Sequence, residues 1–308
     1  MLAAGVLAAG GVTGAAVAVR SRRGPAPPAS LTLATGPRGA VFLEVGRDLA
    51  AAVHALSPGT RVTTLVTAAT VDNLQLLATS AADLGLASLD AAAVDARALD
   101  GRITAVGRIY DSLLHLVVPA ESAVRALRDC AGRRVSVGAA GSGTEFTALR
   151  LLGLAGVHPS AQVRLGQTEA MQALDGGAVD AAFSLTGFPT PAIRALAAAR
   201  PLRLVPLVEF AVLLERSLPR VYASAAIPAG VYPGVPATET VFVPNLLLAR
   251  PGLDDAAVEL VTEALLSPDS RPFWSHPDTS RIDVRTAIAT GPVTLHPAAL
   301  NWFRAHKP

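Results

Sequence analysis

The residues best placed to do chemistry are Ser142, Gly143 and Thr144, within Gly138-Ala139-Ala140-Gly141-Ser142-Gly143-Thr144-Glu145. The glycines permit positive φ and let a ligand approach the backbone closely. Ser142 stands three residues before Glu145, the spacing of a capping box, and Phe146, Leu149 and Leu152 follow at helical intervals. Val135 and Val137 precede the turn as a short buried strand. A strand, a glycine turn and a capped helix start direct free N–H groups and the positive end of the helix dipole at one space. That space suits a carboxylate or phosphate.

A serine between glycines also invites a serine-hydrolase assignment. A nucleophile elbow needs Gly-x-Ser-x-Gly, whereas Ser142 has Ala140 and Thr144 at the outer positions. His54 and His158 are available as bases, yet nothing in their spacing ties them to Ser142. A phosphate-binding P-loop fails as well, because no lysine follows the glycines. His276, His296 and His306 lack His-x-x-x-His spacing, so no metal site is expected, and no cofactor motif is present. Cys130 is the only cysteine and reads as a small apolar filler beside Asp129. The chain carries a net charge of +2, but its basic residues are scattered, Lys307 is its only lysine and aromatics are 4%. Without a basic stripe carrying stacking rings, no nucleic-acid partner is expected.

The elements that position the turn follow from periodicity. Leu31–Ala34, Arg61–Val66 and Asp83–Ser88 read as strands, and Val41–Leu56 as an amphipathic helix stopped by Ser57-Pro58-Gly59. Val71 opens a second helix. Ile103–Ile109 and Leu113–Val118 read as two strands, and Pro119 closes this part. The pattern then restarts: Val163–Leu165 a strand, Thr168–Leu174 a helix, Asp180–Leu185 a strand. Thr240–Leu248 reads as a further strand and Leu253–Leu266 as a helix. A weak internal repeat supports two lobes, since Leu77…Asp83-Leu84…Ser88 parallels Leu174…Asp180-Ala181…Ser184. Strand–helix alternation with short loops predicts parallel sheets with ligands beyond the strand ends. Residues 31–117 and 241–308 are expected to form lobe 1, and 118–240 lobe 2. The chain then crosses twice between them, making a hinge and a cleft that closes on a ligand. Met1–Val19 is an apolar run followed by Arg20, Arg22, Arg23 and a Pro-rich spacer. Residues 1–30 are therefore expected to be an export signal or N-terminal membrane anchor with its spacer.

Taken in order, several motifs resemble the TAXI-type solute-binding proteins that serve TRAP transporters. They are Gly36-Pro37-Arg38-Gly39-Ala40-Val41-Phe42, Thr70-Val71-Asp72-Asn73-Leu74, Asp83-Leu84-Gly85-Leu86, Val135-Ser136-Val137-Gly138…Gly141-Ser142-Gly143-Thr144-Glu145, Asp180-Ala181-Ala182-Phe183…Gly187-Phe188-Pro189, Ile227-Pro228-Ala229-Gly230-Val231-Tyr232-Pro233-Gly234 and Leu295-His296-Pro297-Ala298. The resemblance implies an α/β, two-lobed periplasmic-binding-protein-like fold, each lobe a mainly parallel sheet flanked by helices, joined by a two-strand hinge. It implies no catalysis, an extracytoplasmic monomer, a small anionic solute such as an acidic amino acid or dicarboxylate, and a TRAP-type membrane permease as partner. An ABC importer or a sensor kinase remains an alternative partner, and a serine hydrolase using Ser142 an alternative class.

The candidate ligand-binding residues are Arg38, Gly39, Phe42, Thr70, Asn73, Ser88, Ser142, Gly143, Thr144, Thr186, Gly187 and Phe188. Two departures from the family stand out. Ala68-Ala69-Thr70 replaces a Gly-Gly-Ser-like turn, and alanine resists positive φ, so a different loop path is expected. Phe42 stands where tyrosine is usual, giving an apolar wall without a hydroxyl.

Overall fold

The computed structural model describes residues 26–306 except 278, 280 and 281, so of the leader and spacer expected at 1–30 all but residues 26–30 lie outside the described residues. In the first half of the chain, β1 (Ser30–Ala34), α1 (Val41–Leu56), β2 (Arg61–Leu65), α2 (Thr70–Ala78) and β3 (Leu84–Ser88) follow one another. Two single-turn helices, α3 (Leu89–Ala92) and α4 (Ala96–Leu99), lead into β4 (Thr104–Pro119). The sequence then repeats itself as β5 (Arg134–Ser136), α5 (Gly143–Leu154), β6 (Ala161–Val163), α6 (Gln167–Asp175) and β7 (Ala181–Thr186). After these come α7 (Pro191–Ala199), β8 (Leu202–Leu204), α8 (Ala211–Ser217), β9 (Ala223–Ile227), β10 (Thr238–Ala249), α9 (Asp255–Leu266), α10 (Val284–Ala287) and α11 (Pro297–Ala305).

The internal repeat is visible in the pairing. β1 lies between β2 and β3, all parallel, and β5 lies between β6 and β7, again parallel. Each repeat carries the aspartate seen in the sequence. Asp83 Oδ2 accepts from Thr32 N at 2.8 Å, just before β3, and Asp180 Oδ2 accepts from Arg134 N at 2.8 Å, just before β7. In both lobes, then, a carboxylate ties the start of the third strand to the first.

The expected parallel arrangement holds at the two ends of the sheet, while its centre is antiparallel. β10 runs antiparallel to β3, β4 and β9, and β4 runs antiparallel to β7 and β8. One mixed sheet of ten strands results, in the order β2-β1-β3-β10-β4-β7-β5-β6 along its main path. The two strands expected at 103–109 and 113–118 are in fact the single strand β4, 16 residues long. At about 3.3 Å per residue it runs roughly 50 Å, enough to thread both lobes. Its partner along residues 104–113 is β10, and along 113–117 it is β7. β10 likewise pairs with β9 over 238–242 and with β3 over 245–249.

Asp111 and Ser112 suggest a break in β4, but the structure satisfies both within the strand. The register slips between Pro244 and Leu246, so that Ile109 and Tyr110 both lie opposite Asn245, a β-bulge. Asn245 Nδ2 donates to Tyr110 O at 3.1 Å and to Ser112 Oγ at 2.8 Å, and Arg108 pairs with Asp111 at 2.6 Å.

Apolar faces decide the layers. Val41, Val45, Leu49 and Val53 recur at helical spacing along α1 and bury against β1 and β3, with α9 and α11 packed alongside. Leu174, Ile193 and Leu196 from α6 and α7 cover the second lobe with Tyr232. A third cluster crosses from one lobe to the other: Leu77 and Leu89 join Leu114, Leu151, Leu214 and Tyr222 in one apolar body. No helix among the described residues is long and apolar enough to cross a membrane.

Candidate functional site

The cleft between the lobes has a volume of about 250 Å³. One wall comes from the first repeat, with Phe42, Thr70 and Ser88, and the other from the second, with Gly143, Thr144, Leu185 and Thr186. Tyr110, Ser112 and Asn245, from the two long strands, line it between these walls.

The glycine turn behaves locally as its residues dictate. Gly138 has φ +101°, and a Cβ there would lie 2.6 Å from Thr144 Cβ and 2.8 Å from Glu145 N, so only glycine fits. Ser142 is the N-cap of α5 and accepts from Glu145 N at 3.1 Å, while its own hydroxyl donates to Ala139 O at 2.7 Å. Glu145 Oε2 accepts from Gly141 N at 2.8 Å, and its other oxygen pairs with Arg164. Only the Ser142 half of the capping box forms, because Glu145 reaches Gly141 N while Ser142 N donates to Ala139 O; together these bonds occupy the N–H groups of Gly141, Ser142 and Glu145. Gly143 N and Thr144 N remain with no partner among the described residues.

A second helix start faces the first. α2 begins at Thr70, whose backbone N also has no partner among the described residues. The seam between the two helix starts is closed by Val71 N donating to Gly141 O at 3.0 Å. Thr70 Oγ1 lies 3.4 Å from Ser88 Oγ and accepts from Ser88 N at 3.2 Å. Gly143 nests against this pair, since a Cβ on it would lie 3.0 Å from Ser88 Oγ and 3.1 Å from Thr70 Oγ1. Ala69 immediately precedes Thr70 as the N-cap residue of α2. It takes φ +83° and ψ −139°, a glycine-like conformation, and holds it with Ala69 N donating to Thr67 Oγ1 at 3.1 Å.

Beside the seam lies Asp90, wholly buried on α3. Its Oδ2 lies 2.5 Å from Thr147 Oγ1 of α5 and 3.0 Å from the Tyr222 hydroxyl, and its Oδ1 accepts from Ala91 N at 2.8 Å. Burial raises its carboxyl above the ordinary aspartate value, and hydrogen bonds from Thr147, Ser88 and Tyr222 only partly offset that. In the core of the second lobe, burial lowers His115 to about 4. Its Nδ1 donates to Leu113 O at 2.9 Å, and the Tyr232 hydroxyl lies 3.0 Å from Nε2. Cys130 is buried, its thiol pushed up to about 12.

Of the sequence-derived candidates, Phe42, Thr70, Ser88, Ser142, Gly143, Thr144 and Thr186 line the cleft. Phe42 packs edge-on against Tyr110 with ring centroids 6.2 Å apart. Asn73 is corrected to a structural role. It is fully buried, donates to Thr35 O at 2.6 Å and Leu86 O at 2.7 Å, and accepts from Thr67 Oγ1 at 2.7 Å. Ser142 lines the cleft, but as a cap with both hydroxyl functions in use rather than as a donor to solute. Arg38 and Gly39 sit exposed on the first loop, outside the cleft-lining set. Gly187 is buried and accepts from Thr190 Oγ1 at 3.1 Å. Phe188 precedes a cis proline and lines a neighbouring recess with Arg108, Asp111 and Phe242. No histidine lines the cleft beside Ser142, and no cluster of three metal-ligand side chains occurs among the described residues. His296, whose Nδ1 accepts from Ala298 N at 3.2 Å, caps α11 ahead of Pro297.

Tyr110, Ser112, Gln167, Glu169 and Asn245 also line the cleft and were missed by sequence reasoning. The available signal was Asn245 itself, a lone amide inside the apolar run Val241–Leu248.

The architecture has known counterparts. XAC2383 from Xanthomonas citri bound to ATP matches with a TM-score of 0.53 at 13% identity, over 91% of this chain and 100% of that one. The alkanesulfonate-binding protein SsuA from Xanthomonas axonopodis pv. citri bound to MOPS gives 0.48 at 20% identity, over 92% and 86%. The periplasmic aliphatic sulphonate binding protein SsuA from Escherichia coli gives 0.47 at 16% identity, over 91% and 84%. The likeness to XAC2383 is one of fold: an α/β, two-lobed periplasmic-binding-protein-like architecture with a curled mixed sheet flanked by helices. The model of the NMT1-like family matches residues 33–305, and the chain belongs to that family.

Proposed function

We propose that this protein is a non-enzymatic, extracytoplasmic solute-binding receptor that holds a small carboxylate-bearing solute between its lobes and delivers it to a membrane permease. One observation carries this: the unpaired N–H groups of Thr70, Gly143 and Thr144 belong to two helix starts, one from each lobe, meeting at a single cleft. Backbone N–H groups left unpaired beside a cleft favour an acceptor there, and the two helix dipoles favour a negative one. The hinge of this receptor lies where strand partners change, near Leu113 of β4 and Asn245 of β10. Excluding water on closure strengthens the charge-assisted bonds to the solute.

The TAXI resemblance supports a TRAP-type permease as the partner and offers acidic amino acids and dicarboxylates as first candidates for the solute. Uptake into vesicles driven by an ion gradient without ATP tests that partner, and ATP-dependent uptake would assign the receptor to an ABC importer instead. For the site itself, calorimetry with C4–C6 carboxylates and their neutral amides is decisive. Carboxylates are expected to bind at least about tenfold more tightly, the difference of one charge-assisted hydrogen bond. Equal affinity for the amides would overturn the anion assignment.

A further inference from the structure

The cleft also constrains what is attached to the solute's carboxylate. Among the cleft-lining residues no side chain is cationic, and the one charged group is the exposed carboxylate of Glu169. A single negative charge is served by the two helix starts, whereas a second would enter beside Glu169 with no arginine or lysine to meet it. The rest of the lining is largely apolar, with Phe42, Tyr110, Leu165, Phe183 and Leu185.

Two buried polar groups mark what else the solute presents. Thr186 is 4% exposed and lines the cleft, and its side-chain hydroxyl has no hydrogen-bond partner among the described residues. Asn245 is 1% exposed and gives its two amide hydrogens to Tyr110 O and Ser112 Oγ. Because Tyr110 O only accepts, the amide orientation is fixed, and Oδ1 is left as an acceptor on a residue that lines the cleft. Asn245 is the register partner of Ser88 across β3 and β10. Opposed residues of antiparallel strands stand about 4.5–5.5 Å apart on one face. Ser88 in turn touches Gly143, at the start of α5. The acceptor therefore lies within about one strand spacing of the anion end.

Resting on the cleft assignment above, we propose that the solute is a monocarboxylate with an apolar body and a hydrogen-bond donor, hydroxyl or ammonium, on the carbon next to the carboxylate. The carboxylate takes the N–H groups of Thr70, Gly143 and Thr144, the donor meets Asn245 Oδ1, and the apolar body lies against Phe42 and Leu185.

The test is calorimetry of the full chain with 2-hydroxy-4-methylpentanoate, leucine, 4-methylpentanoate, malate and glutamate. The hydroxy acid, the amino acid or both are expected to bind at least about tenfold more tightly than 4-methylpentanoate, which lacks the donor, and than malate and glutamate, which add a charge. Whichever of the first two is tighter identifies the donor. Equal or tighter binding of malate or glutamate, or of 4-methylpentanoate, overturns the proposal while leaving an anion cleft in place. Failure of all five, with a neutral solute bound, overturns the cleft assignment itself. Glu169→Gln, at an exposed position, is expected to tighten glutamate and malate about threefold relative to the monocarboxylates; an unchanged ratio removes Glu169 from the selection.

Discussion

Thr147 Oγ1 of the second lobe lies 2.5 Å from Asp90 Oδ2 of the first, and 2.9 Å from Gly143 O on its own helix. The hydroxyl has one proton and two oxygen neighbours. If it donates to Gly143 O, the short contact with Asp90 is satisfied by a proton on the carboxyl, consistent with the raised carboxyl of this wholly buried residue. Asp90 thus links the two lobes directly beside the proposed solute cradle, with burial favouring the protonated form of its carboxyl.

A raised folded value means that the native state keeps a proton the unfolded chain has lost. The stabilisation is complete below the ordinary aspartate value and is lost as pH climbs through the raised one, with a slope of up to about 1.4 kcal/mol per pH unit. Asp90→Asn keeps a donor toward Thr147 and cannot titrate. Urea unfolding across pH 4–8 should show this variant losing less stability than wild type as pH rises. Parallel pH profiles would mean that Asp90 is ionised in the folded protein.

Ala69 offers a second test. Its φ of +83° with ψ −139° is glycine territory, costing on the order of 1–3 kcal/mol for a residue with a Cβ. Ala69→Gly releases that strain against a smaller entropic loss in the unfolded chain. A gain of about 1 kcal/mol in unfolding free energy is expected. A loss would show that the Ala69 methyl group contributes more by packing than its backbone costs.

Gly143→Ala addresses the seam. The added methyl meets Ser88 Oγ at 3.0 Å and Thr70 Oγ1 at 3.1 Å, pressing the helix starts of the two lobes apart. Overpacking of this kind costs about 1–3 kcal/mol. Urea unfolding without solute should show stability lowered by that order, and titration calorimetry should show solute binding weakened as well. Unaltered affinity would place the solute away from Gly143.

What the sequence revealed and what it hid divide along physical lines. α1 was legible to the residue, because an apolar stripe runs unbroken to Ser57-Pro58, where the helix has to stop. The repeat was legible through Asp83 and Asp180, since each carboxylate is needed to bind the first strand of its own lobe. β4 was not, because Asp111-Ser112 looks like a break unless one knows that Arg108 and Asn245 satisfy both at a bulge. Asn73 stands where a ligand donor would, yet its partners are carbonyls of Thr35 and Leu86, distant in sequence. Thr70, Gly143 and Thr144, named from the sequence as ligand-binding candidates, line the cleft, and helix starts announce themselves locally. Asn245 was missed because its meaning comes from strand pairing.

The proposed receptor holds its anion by backbone N–H groups from both lobes. Amide chemical shifts of isotopically labelled protein, followed while 2-hydroxy-4-methylpentanoate or leucine is added, test that most directly. The resonances of Thr70, Gly143 and Thr144 should move furthest and saturate together, at one dissociation constant. If those three stay still while resonances elsewhere move, the solute is bound at another site and the account is wrong.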